Sequence, residues 1–243
     1  MSGTIPQWQE RTLLLAGEEK LKKLAGANVL VCGVGGVGSY AAEQLVRAGI
    51  GNITIVDGDT IHDTNRNRQL PAMVSTINEY KAVVTGNRLR DINPQLNLTI
   101  IQEYIKDQRM IDILEHRYDY VIDAIDTLSP KVYLIYHTLR LGMKLVSSMG
   151  AGGKFDPSQI KVCDINETYN CKLAYYMRKR LHKMGIWTGF KAVYSPEVVS
   201  REAVALLQGE LNKKSTVGTI SYMPAMFGCY CASVAIREIM EQV

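Results

Sequence analysis

No apolar run approaches the roughly 18 residues of a membrane-spanning helix. The longest, residues 223–236, has the length of a buried core helix and contains Pro224 and Gly228. The N-terminal stretch MSGTIPQWQERT lacks the charged-then-apolar pattern of a secretory signal. No Cys-x-x-Cys pair occurs. The five cysteines, Cys32, Cys163, Cys171, Cys229 and Cys231, are odd in number, and only the last two are close together. Such a set suits neither a disulfide framework nor the paired ligands of structural zinc. Reduced thiols and no zinc are expected, with Cys32 and the C-terminal pair acting as small buried apolar residues. Internal repeats are absent, and so is any linker rich in Pro, Gly or Ser. A net charge of only +4 beside 47% hydrophobic residues excludes a disordered chain. These absences leave a soluble, cytoplasmic globular protein with no membrane span and one domain over residues 1–243.

What is present alternates. Residues 9–24 read as an amphipathic helix. Residues 28–32 (NVLVC) and 52–56 (NITIV) read as short buried strands, and further strands are expected at 98–101, 120–122 and 145–147. Helical stretches fall between them, at 37–48, 79–92, 107–115 and 130–142. Strands alternating with helices imply an α/β, Rossmann-like, doubly wound sheet, mostly parallel and covered on both faces. After Gly153 the rhythm changes. A strand at 160–164 and an amphipathic helix at 171–184 are expected, then a loop with a helix inside it over 196–217 and a buried C-terminal helix. Antiparallel additions belong to this part, so residues 1–150 read as a nucleotide-binding half and 151–243 as a substrate-binding or dimer half.

Gly33-Val34-Gly35-Gly36-Val37-Gly38 follows a strand and opens a helix, and Asp57 ends the next strand 19 residues after Gly38. Glycines there admit close backbone approach, the helix N-terminus faces a phosphate, and the acid reaches a ribose hydroxyl. This fingerprint does not separate NAD from ATP. The following residues do. Asn65 and Arg68 lie in a cationic TNRNRQ segment, Lys81 begins a helix, and Asp126 follows an apolar strand. All belong at the carboxyl ends of the strands, where ligands bind in such sheets. Cations there stabilise charge on attacked phosphorus, and an acid such as Asp126 can hold magnesium on the phosphates. Hydride transfer needs none of this. Each residue taken singly has another reading: Asp57 as the cap of a turn with Gly58, Arg68 and Lys81 as solvated charges, Asp126 as a helix N-cap.

The motifs RTLLLAG (11–17), GVGGVGS (33–39), DGDTIHDTNRNRQ (57–69), Lys81, INP (92–94) and DAID (123–126) resemble the ThiF/MoeB superfamily of carboxylate-adenylating enzymes, relatives of the ubiquitin-activating enzymes. NRNRQL (65–70), YVIDAIDTLSPK (120–131), GAGGKFDPSQIKVCDI (150–165) and VGTISYMP (217–224) resemble its branch that dehydrates threonylcarbamoyladenosine in tRNA. The resemblance is weakest over 184–216. It implies that Gly33, Gly35, Gly36 and Gly38 cradle the phosphates of ATP, that Asp57 binds ribose, that Asn65, Arg68 and Lys81 hold the triphosphate, and that Asp126 holds Mg2+. It implies further that Arg11 reaches the ATP of a partner subunit in a homodimer. The family also has links to a cysteine desulfurase sulfur-acceptor system. A monovalent cation site built from carbonyls would leave no trace in the sequence. The superfamily's two CxxC pairs are missing, and only Cys171 lies near the position of its reactive cysteine.

Residues 168–195 carry six basic residues and no acidic one, leaving the rest of the chain at −2. Lys172, Arg178, Lys179, Arg180 and Lys183 on the expected helix are candidate tRNA phosphate contacts, with Tyr175 and Tyr176 able to stack on a splayed base. An ordinary solvated helix face accounts for the same run. The readings that compete with a tRNA dehydratase are an adenylyltransferase acting on the C-terminal glycine of a ubiquitin-like sulfur carrier, a non-catalytic binding scaffold, and an NAD-dependent oxidoreductase.

Overall fold

The computed structural model describes residues 5–206 and 215–241. Seven strands form one sheet: β1 (Asn28–Cys32), β2 (Asn52–Val56), β3 (Asn97–Ile101), β4 (Tyr120–Asp123), β5 (Lys144–Ser148), β6 (Lys161–Asp164) and β7 (Lys191–Tyr194). Their order is β3-β2-β1-β4-β5-β7-β6, and every pairing is parallel except that of β6 with β7. The expected doubly wound sheet and its antiparallel addition are therefore both present.

The central strands are continuous apolar runs because helices cover both faces. Alternate side chains of β1 divide between two cores: Val29 and Val31 join one, Leu30 and Cys32 the other. The first core is completed by α2 (Glu18–Gly26), α3 (Gly38–Ala48), α4 (Lys81–Ile92) and α8 (Tyr222–Met240). The second is completed by α5 (Asp107–Glu115), α6 (Leu128–Arg140) and α7 (Lys172–Lys183). None of the described helices is long and apolar enough to cross a membrane.

Three local expectations change. The helix expected over 9–24 is two helices, α1 (Glu10–Ala16) and α2, parted by Gly17 at φ +84°. That left-handed value is open to glycine and breaks the helical turn. β7 was not anticipated, since four residues inside a basic stretch show no usable period. The helix expected within 196–217 is replaced, among described residues, by a short 3-10 turn (Arg201–Ala203) and an antiparallel pair, β8 (Val204–Leu206) with β9 (Ser215–Val217). Residues 207–214 of that expectation lie outside the described residues.

Candidate active site

From β1 the chain moves outward through β2 to β3, and from β4 it moves the other way, so a crevice opens where β1 and β4 lie side by side. Cys32 and Asp123 are paired at its floor. Gly33 turns the chain out of β1 at φ +86°, and a side chain there would meet the Ala124 carbonyl oxygen at 2.8 Å. A side chain on Gly38 would drive into the Gly33 carbonyl. These two glycines are demanded by the protein's own packing. Gly35 is different: a Cβ there would meet only the Gln69 side chain, at an ordinary 3.6 Å. No neighbouring backbone forbids a side chain at that position, and the bare backbone leaves a cradle at the start of α3 that suits a phosphate chain.

Asp57 caps the turn, as one of its two readings expected, and also braces the glycine loop. Its Oδ2 accepts the Val34 N–H at 2.8 Å, bracing the glycine loop, and its Oδ1 accepts the Asp59 N–H at 2.8 Å, capping the turn. Burial raises its pKa above the ordinary carboxylate value, while Lys81 and the two backbone donors pull the other way. Lys81 is no solvated charge. It is 5% exposed at the first turn of α4, and its Nζ lies 2.8 Å from Asp59 Oδ2. The Tyr104 hydroxyl donates to Asp59 Oδ1. That bond, then burial, pushes the phenol up to about 12.

Asn65 is buried, and its Oδ1 accepts the His62 N–H at 3.0 Å. The turn it shapes brings Arg68 over the crevice. The Arg68 guanidinium donates to the Thr64 carbonyl (3.0 Å) and to Asn67 Oδ1 (2.9 Å). Burial lowers the Arg68 pKa, and the nearby Asp126 carboxylate opposes that shift. Asp126 is exposed beyond β4, and the N-cap of α6 is Thr127 rather than Asp126. The fold thus gathers the glycine loop, Asp57, Asn65, Arg68, Lys81 and Asp126 around the carboxyl ends of the central strands. Among the described residues no group of three or more His, Cys, Asp or Glu is placed to hold a metal ion. A single carboxylate suits Mg2+ only together with phosphate oxygens.

Arg11 is elsewhere. It is exposed on α1, whose neighbours Thr12, Leu15 and Ala16 line a groove with Arg47 and Ala48. Those two residues end α3, about 16 Å of helix from the glycine loop. The basic helix α7 buries Ala174, Met177 and Leu181, and presents Lys172, Lys179 and Lys183 to solvent. Arg178 donates to Thr168 Oγ1, and Arg180 reaches Ser129 Oγ at 2.8 Å, three residues past Asp126.

Sequence reasoning missed the layer beneath. Asp123 and Lys131 form a fully buried ion pair at 2.8 Å. Lys131 Nζ also donates to the Ile125 carbonyl, while Asp123 accepts from the Ile125 N–H and from Ser147 Oγ at 2.6 Å. The pair clamps the turn that carries Asp126. The only signal was a lysine eight residues after a strand-ending aspartate. Burial also keeps the adjacent Cys32 and Cys231 thiols protonated, Cys231 at about 12. Gln69, buried beside Gly35 with an Oε1 that lacks a partner among the described residues, was not singled out either.

The chain belongs to the ThiF family, whose model matches residues 9–242. Relatives matched over more than nine-tenths of this chain include several tRNA threonylcarbamoyladenosine dehydratases, while sulfur-carrier adenylyltransferases match over a shorter stretch. It is 42% identical to the tRNA threonylcarbamoyladenosine dehydratase of Haemophilus influenzae, over 92% of this chain and 90% of the relative. It is 34% identical to the Bacillus subtilis enzyme of the same name, over 96% and 94%. The crystal structure of Escherichia coli TcdA, the tRNA N6-threonylcarbamoyladenosine dehydratase, in complex with ATP superimposes with a TM-score of 0.88 at 35% identity, over 98% of this chain and 97% of that one.

Proposed function

We propose that this protein is an ATP-dependent tRNA threonylcarbamoyladenosine dehydratase that works by carboxylate adenylation. The observation that carries the reading is the crevice itself: a glycine cradle, a buried lysine, an arginine and a carboxylate converge where a nucleotide's phosphates would lie. The near full-length likeness to dehydratases, and to one in complex with ATP, supports the substrate.

The substrate's threonylcarbamoyl carboxylate attacks the α-phosphorus of ATP. A P–O bond forms to the carboxylate, the bond to the β-phosphate oxygen breaks, and pyrophosphate leaves. Arg68, Lys81 and Asn65 bear the charge that collects on the leaving group. Asp57 holds the ribose and the Val34 amide together. A Mg2+ ion held by Asp126 and the phosphates would neutralise that charge further. A nucleophilic group of the same modification then attacks the activated carbonyl, expelling AMP and losing a proton. The net change is loss of water. Because that attack is intramolecular, its effective concentration is high, and Cys171, buried at the start of α7, has no covalent step to perform.

The second half of the chain takes the substrate in this reading. Lys172, Lys179 and Lys183 contact tRNA phosphates, while Arg178 and Arg180 first hold the helix in place. The protein works as a homodimer. No residue of α1 is buried, and Leu14 and Leu15 are 81% and 90% exposed beside a groove of about 480 Å3. A second copy covering that face would carry Arg11 to the opposite crevice. The cytoplasm, where tRNA is modified, is its compartment, and a sulfur-acceptor system remains a candidate partner.

The test is mass spectrometry of nucleosides from threonylcarbamoyladenosine-containing tRNA incubated with protein, ATP and Mg2+, beside Asp126→Ala. A product lighter by one water with the wild type only is expected. An unchanged nucleoside from ATP-binding protein would refute the reading and favour a sulfur-carrier adenylyltransferase.

A further inference from the structure

We propose that Phe155 is the stacking platform on which the modified adenine of the substrate tRNA is held, a substrate-binding residue outside the nucleotide fingerprint. The proposal rests on the dehydratase reading above. Of the three phenylalanines, Phe190 and Phe227 are buried, whereas Phe155 is 66% exposed. A single exposed apolar ring is ordinary on a protein surface. What distinguishes this one is how firmly its backbone is fixed. The Phe155 N–H donates to Glu197 Oε1 at 3.1 Å, and its carbonyl accepts the Tyr222 hydroxyl at 2.9 Å. On one side Lys154 is buried, and its ammonium donates to the Glu197 carbonyl. On the other, the Asp156 N–H lies 3.2 Å from both oxygens of the Glu197 carboxylate. That carboxylate also accepts Ser195 Oγ at 3.1 Å. Gly153, two residues earlier, is tied to the Gly218 carbonyl at 2.7 Å.

The position matters as much as the rigidity. The segment leaves the carboxyl end of β5, the strand next to β4 and Asp126, so it borders the crevice. Tyr222, which holds it, begins α8, and Pro224 of the same turn fills the space beside Gly36, 3.1 Å from an ideal Cβ. The Asn67 side chain joins this wall through the Thr219 carbonyl at 2.9 Å. One rim therefore connects the glycine loop, the Arg68 segment and Phe155. An enzyme that acts on a base in tRNA works on a single-stranded base or takes the base out of its stack, and an aromatic face is a common support for a splayed base. A clamped ring at the crevice rim supplies that face with little ordering left to do on binding.

The experiment compares wild type, Phe155→Leu and Phe155→Trp in steady-state dehydration of modified tRNA, with ATP affinity, melting temperature and association state measured on each. Leucine keeps an apolar side chain but lacks the π-face. It is expected to raise KM for the modified tRNA about 5- to 150-fold, the scale of one base–aromatic stack, with ATP affinity, melting and association state unchanged. Tryptophan is expected to restore KM, and the added tryptophan emission should be quenched by modified tRNA. A wild-type KM in Phe155→Leu would overturn the platform. So would a loss of ATP affinity, melting temperature or self-association in step with KM, because the ring would then be a packing or interface residue. A wild type that binds ATP yet leaves modified tRNA unchanged, with Phe155→Trp unquenched, would overturn the dehydratase reading as well.

Discussion

Replacing Lys131 by methionine tests whether the layer under the crevice is a positioning device. Lys131 and Asp123 have no solvent exposure, and each polar atom of the pair is occupied: the ammonium by Asp123 Oδ2 and the carbonyls of Asp123 and Ile125, the carboxylate by Lys131, Ser147 and the Ile125 N–H. Methionine preserves the length and apolar stem of the side chain, so the loss is the ammonium alone. What remains is a buried carboxylate without its counter-ion, which costs about 3–5 kcal/mol. In a chain of this size that is a drop of about 6–20 °C in melting temperature. A second substitution separates charge from packing. Asp123→Asn on top of Lys131→Met removes the orphaned charge yet keeps an acceptor for the Ile125 amide and offers its NH2 to Ser147 Oγ, which can turn to accept, so most of the lost stability should return. Thermal melts and urea titrations of the four members of this cycle give the coupling directly. Because the pair also clamps the turn carrying Asp126, the stability-restored double variant should still dehydrate tRNA more slowly than wild type. A single variant that melts within about 2 °C of wild type, or a double variant no more stable than the single, would refute the reasoning.

Two further outcomes follow from the crevice. Burial raises the Asp57 pKa above its unfolded value of 3.8, so on acidification the native state takes up this proton first; the raised pKa opposes folding near neutrality, and the opposition fades as pH falls through the folded value towards 3.8. Urea titrations across that window should show wild type gaining on Asp57→Asn as pH drops, and a constant or reversed gap would contradict the assignment. If Arg11 acts on the opposite subunit, mixing inactive Arg11→Ala and Lys81→Ala homodimers through subunit exchange should restore about a quarter of wild-type activity, since half the dimers then carry one intact site of two. Absence of recovery after exchange, confirmed by mass, would place Arg11 outside the partner's site.

The parts of this molecule that could be read from sequence are those where backbone geometry restricts residue choice. Gly33 and Gly38 tolerate no side chain, Asp57 must meet the Val34 amide, and the central strands must be apolar on both faces. Each such demand leaves its mark at a fixed spacing. The layers that escaped are set by elements distant in sequence acting on residues with two plausible states. Lys131 looks like any helix-surface lysine until β5 brings Ser147 beside Asp123. Lys191–Tyr194 is too short to show a period and becomes a strand through its neighbours, β5 and β6. Phe155 is an unremarkable loop residue until Glu197 and Tyr222 close on its backbone from either side. The same distinction sorts the crevice by function. In the proposed function the glycine loop and Asp57 serve a nucleotide, whose shape is common to many enzymes, and so carry a common signature. The groups that would select one substrate, and the face that would admit a second subunit, are built from long-range contacts and must be found in three dimensions.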